Sequence, residues 1–65
     1  MELIRDRHGV LTGIVREVAG GQRRLYTPTG EAISDYDPIT RATYDTDRRR
    51  LGTGDRLAGL VDDQD

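Results

Sequence analysis

Asp35 with Asp37, and Asp45 with Asp47, are carboxylates two positions apart, a spacing that puts both members of a pair on one face of a strand. Carboxylates so paired can exchange a proton or hold a hard cation. A calcium loop also needs further oxygen ligands and a terminal Glu at fixed spacing, and these are missing. The expected role of these aspartates is therefore turn chemistry, in which the carboxylate accepts hydrogen bonds from its own backbone. His8, the one histidine, stands beside Gly9 with no Ser or Cys nearby to activate, and is expected to be a surface turn residue. Gly52-Thr53-Gly54 lacks the Lys and the third glycine of a phosphate-binding loop and is expected to be a flexible joint.

The arginines are the sharper feature. All ten basic residues are Arg, which suits bidentate contacts with carboxylate or phosphate, although a genome rich in Arg, Gly, Asp and Ala codons is the plainer explanation. Arg23-Arg24 stands next to Tyr26, and Arg48-Arg49-Arg50 follows Tyr44. Such an arrangement can stack bases and hold phosphates, with Arg23, Arg24 and Arg48 as nucleic-acid contacts. The alternative is structural: the same side chains pair with Glu17, Asp45 and Asp47 and lay their stems over a thin apolar surface. The net charge of −2 favours the structural alternative over a general nucleic-acid binder.

With 65 residues, no Phe, no Trp and 34% apolar content, the chain has material for one small core, which buries only about 60% of the unfolded surface. Disulfides and thiolate zinc sites are excluded by the absence of Cys. Self-association or docking onto a partner is the remaining remedy for a thin core.

A repeat emerges when the turn signals are aligned. Asp6-Arg7-His8-Gly9-Val10-Leu11-Thr12-Gly13 matches Thr27-Pro28-Thr29-Gly30-Glu31-Ala32-Ile33-Ser34 and Asp45-Thr46-Asp47-Arg48-Arg49-Arg50-Leu51-Gly52. Each unit opens on Asp or Thr and ends on a small residue. Gly9 and Gly30 fill the slot where a positive φ is needed, and Arg48 stands there in the third unit. Between the units lie two hairpins. The first runs from Leu11–Val18 through a Gly20-Gly21 turn to Gln22–Thr27, with Glu17 facing Arg24 and Val15 facing Tyr26. The second runs from Ala32–Tyr36 through a turn begun by Asp37-Pro38 to Arg41–Asp45. After Gly54, Asp55 caps a short helix with Leu57, Leu60 and Val61 on one face, or else Arg56–Val61 is a final strand. The expected architecture is an all-β antiparallel meander of repeated hairpins over 1–61, closing on that helix or strand, with 62–65 as an acidic tail.

The unit of Tyr-Asp, polar turn, Gly, then an apolar residue and Gly or Ser resembles the repeat of the four-fold beta flower domains. The likeness is carried best by Ser34-Asp35-Tyr36-Asp37-Pro38, Tyr44-Asp45 and Leu51-Gly52-Thr53-Gly54-Asp55. It implies a small all-β protein whose hairpins radiate around a pseudo-symmetric centre, of a kind found in bacterial and phage proteins. It carries over no reaction and no ligand residue.

The expected function is that of a non-enzymatic protein-binding module without cofactor or metal, acting on a protein partner or on copies of itself. Tyr36, Arg41, Tyr44, Arg49 and Arg50 are the contact candidates, because Tyr and Arg dominate interaction hot spots. A narrower version is a phage- or mobile-element-encoded inhibitor of a host system. Other classes are a nucleic-acid-binding accessory protein and a structural subunit of a virion or secretion assembly. No stretch approaches the roughly 18 apolar residues of a membrane span, and no charged-then-apolar leader opens the chain. A cytoplasmic protein is expected, in the host cell if phage-encoded.

Overall fold

A computed structural model describes residues 1–61; the expected acidic tail lies outside the described residues. Six antiparallel strands, β1 (Glu2–Arg5), β2 (Leu11–Glu17), β3 (Arg23–Tyr26), β4 (Ala32–Asp37), β5 (Ala42–Asp45) and β6 (Arg50–Thr53), form one meander in chain order. Helix α1 (Leu57–Val61) follows. The all-β meander and its short C-terminal helix are as the sequence predicts, and the strand alternative for Arg56–Val61 is not adopted.

Three hairpins, β1–β2, β3–β4 and β5–β6, close on the same turn. In each, the N–H of the fourth residue donates to the carbonyl of the first: Gly9 to Asp6, Gly30 to Thr27 and Arg48 to Asp45. The fifth carbonyl, of Val10, Glu31 or Arg49, accepts from the N–H of that first residue. This is a type I turn followed by a left-handed residue and a bulge, and the ladder shifts beside each turn, at Ile4/Arg5, Leu25/Tyr26 and Thr43/Tyr44. The opening residue fixes the turn with its side chain. Asp6 Oδ1 accepts from the N–H groups of His8 and Val10, Asp45 Oδ1 from those of Asp47 and Arg49, and Thr27 Oγ1 from that of Glu31. The aligned repeat is thus a repeat of turn chemistry.

The small residue that ends each unit also has a structural place. Gly13 lies opposite Ile4, Ser34 opposite Leu25 and Gly52 opposite Thr43, one such pair per hairpin on the face that carries the core. α1 packs on this face. Leu57 is buried with Ile4, Val15 and Leu25, while Ile33, Tyr36 and Val61 pack around them. Gly13 permits the docking, because a Cβ there would stand 2.8 Å from Val61 Cγ2. Thr43 ties the approach to the helix: its hydroxyl donates to Gly54 O at 2.8 Å and accepts the Arg56 N–H at 3.0 Å. Asp55 Oδ1 accepts the Leu57 N–H at 3.1 Å, the expected cap.

Four expectations need correction. The turn between β2 and β3 has three residues, Ala19–Gly21, closed by the Val18 N–H donating to Gln22 O, with positive φ at both glycines. That one extra residue sets Glu17 opposite Arg23 and Val15 opposite Leu25, in place of Arg24 and Tyr26. The reason is burial: this register puts Val15 and Leu25, 3% and 0% exposed, on the same face, whereas the one-residue slip would turn Leu25 to solvent. Arg41 is a loop residue with φ 57°, its N–H donating to Asp37 O, so β5 begins at Ala42. Gly52 and Thr53 belong to β6 and are no joint. Leu60 remains exposed, because the five-residue helix turns only Leu57 and Val61 inward.

Candidate functional site

Because successive strand residues alternate faces, the residues between the core positions share the face away from α1. Strand register lines five of them up directly across the sheet: Arg16, Arg24, Asp35, Tyr44 and Arg50, from β2 through β6. Beside this polar row runs an apolar one, in which Leu3, Ile14, Tyr26 and Ala32 are successive partners on β1 to β4. Leu3 is 49% exposed, and Ile14 and Tyr26 are half-buried.

At the centre of the polar row Arg24 Nε donates to Asp35 Oδ1 at 2.7 Å, and Nη2 reaches Oδ2 at 3.4 Å. The hydrogen bond to Asp35, and after it one to Tyr26, hold the Arg24 guanidinium above its ordinary pKa. This pair is internally satisfied. Arg16 and Arg50 at the ends of the row are exposed, and their side chains have no hydrogen-bond or ion-pair partner among the described residues. Tyr44 Oη and Thr40 Oγ1 are 3.0 Å apart in a hydrogen bond, so the ring lies along β5 toward the β4–β5 loop. A shallow concavity of about 220 Å³ opens there, lined by Gln22, Asp35, Asp37, Thr40, Tyr44 and Arg48.

Arg48 holds φ at 68°, where the sister turns have Gly9 and Gly30. A non-glycine residue in this region carries a penalty of about 1 kcal/mol. Its guanidinium, like those of Arg41 and Arg49, has no partner among the described residues. Arg48 and Tyr44 line the same concavity, so a cation without a partner among the described residues stands there on a left-handed backbone.

The sequence-predicted contacts divide. Tyr44 and Arg50 are cross-strand neighbours on the free face, and Arg49 and Arg48 sit in the adjoining turn. Arg41 lies in the loop at the other end of β5, and Tyr36 packs against the core under α1. Of the residues assigned to nucleic acid, Arg24 is on the free face, while Arg23 is on the other, paired with Glu2 of β1 and with Asp55 at the helix cap. The expected pairing of these arginines with Glu17, Asp45 and Asp47 is replaced by pairing with Glu2, Asp35 and Asp55. Non-local register decides which carboxylate is near. Arg16, Ile14 and Leu3 were not singled out by sequence; the alternation of β2 around Gly13 and Val15 is the signal that places the first two.

His8 is exposed in its turn, and Asp37 and Asp45 act through Oδ1 on the backbone N–H groups of Ile39, Asp47 and Arg49. No three His, Asp or Glu side chains converge as metal ligands among the described residues. A second, larger groove of about 720 Å³ lies open at one end of the sheet between Met1, Glu2, Val15, Arg16, Glu17 and Arg23. Among the described residues no helix is long and apolar enough to cross a membrane. Compared with known proteins, the chain matches no family model, no curated protein and no solved structure.

Proposed function

We propose that this chain is a non-enzymatic protein-binding module whose contact surface is the face of the sheet away from α1. The observation that carries the proposal is the row Arg16, Arg24, Asp35, Tyr44, Arg50, in which the end cations are unpaired among the described residues, beside the apolar row of Leu3, Ile14 and Tyr26. Arg and Tyr next to desolvatable apolar surface is the composition of an interaction hot spot. Arg48 supports the reading, since a cation kept on a strained backbone serves better outside the chain than within it.

The narrower form of this proposal is an inhibitor encoded by a phage or mobile element, acting in the host cytoplasm by occupying a surface of a host system. The resemblance of the turn repeat to four-fold beta flower domains supports it. Self-association is its other form, and the outer edges of β1 and β6, which pair with no further strand among the described residues, favour that. Affinity capture with mass spectrometry tests the proposal, comparing the native chain with a Tyr44→Ala/Arg50→Ala variant. A partner enriched by the first and lost by the second is the expected result. The same partners held by both chains would contradict it.

A further inference from the structure

We infer that the partner presents an acidic segment with a bulky apolar residue, laid across the strands of the helix-free face; this rests on the binding role proposed for that face. Charge complementarity chooses the segment. Arg16 and Arg50 end the polar row four strand spacings apart, about 19 Å, and neither has a carboxylate partner among the described residues. Arg48 adds a third such cation at the Tyr44 end. Carboxylates at both ends of a bound segment meet these cations, and a large apolar side chain near its Arg16 end covers Leu3, Ile14 and Tyr26 on β1 to β3.

The same row argues against the other occupants. A second copy seated face to face brings Arg16, Arg24, Arg48 and Arg50 against their own kind, with Asp35 already engaged by Arg24. A nucleic-acid strand following the row passes its phosphates over Asp35 and beside Asp37, both lining the concavity next to Tyr44. It also leaves the aliphatic pair Leu3 and Ile14 without a stacking role. A protein segment spaces its charges and puts carbon between them.

Panning a random peptide library displayed on phage against the full chain tests the inference. The expected consensus contains two or more Asp or Glu around a bulky apolar residue. Fluorescence anisotropy with the labelled consensus peptide is then expected to show affinity falling tenfold or more in the Arg16→Ala/Arg50→Ala variant. The Ala58→Asp/Leu60→Asp variant makes the same change of net charge on the exposed side of α1 and should move affinity by less than threefold. A neutral or basic consensus that the Arg variant still abolishes would overturn the acidic partner and keep the face. Binding lost only through the α1 variant, or panning with no enrichment, would overturn the face as well. A labelled oligo-dT or oligo-U strand bound more tightly than the peptide would overturn the protein segment in favour of nucleic acid.

Discussion

The two faces of this sheet are made by the same strands and differ in what their side chains have left to offer. Under α1, Val15, Leu25, Thr43 and Leu57 are no more than 3% exposed, Thr43 satisfies both Gly54 and Arg56, and Arg23 is held by Glu2 and Asp55. On the other face Arg24 is ion-paired with Asp35 and Tyr44 is hydrogen-bonded to Thr40, while Arg16 and Arg50 have no partner among the described residues. Alternation along a strand thus separates the groups that hold the fold from the groups free to meet another molecule. In so short a chain the division leaves little redundancy on the covered side.

The largest effect is expected at the centre of that side. Leu25→Ala removes a side chain that is 0% exposed, at a cost of about 3 kcal/mol, enough for urea denaturation to find little folded protein in a domain this small. Gly13→Val should follow, since Val61 already occupies the space; overpacking of this kind costs about 1–3 kcal/mol, and NMR should show α1 released from the sheet. Thr43→Val strips a donor from Gly54 O and an acceptor from Arg56 N–H, and a lower denaturation midpoint corresponding to about 1–2 kcal/mol is expected. Changes on the free face should behave differently. Arg48→Gly relieves the φ of 68° and should raise stability by about 1 kcal/mol while weakening capture of the partner. Arg16→Ala should leave stability within about 0.5 kcal/mol, and a larger loss would mean that the two faces are not separate.

Turns were the most legible part of this sequence because their chemistry is local. Asp6, Thr27 and Asp45 bond backbone groups two to four residues on, and that pattern can be read from spacing alone. The outer strands were not legible. β1 offers only Leu3 and Ile4 between charges, and β6 contains Gly52, so neither shows a strand pattern. Register was harder still, because a three-residue loop and a two-residue loop at Gly20-Gly21 differ by the inclusion of Ala19, and only the burial of Leu25 decides between them. The candidate site inherits this difficulty. Tyr44 and Arg50 were singled out by type, but their alignment with Arg16 requires four strand pairings and the bulges at Leu25/Tyr26 and Thr43/Tyr44. Tyr36 shows the converse: a tyrosine flanked by aspartates resembles a surface contact, and the structure packs it on the core.

Titrating ¹⁵N-labelled full chain with the consensus peptide recovered by panning tests the division of the two faces most directly. The account predicts saturable shifts at Arg16, Arg24, Tyr44 and Arg50 with Leu57 and Ala58 unmoved. Shifts concentrated on α1, with the Arg16 to Arg50 row unchanged, would contradict it.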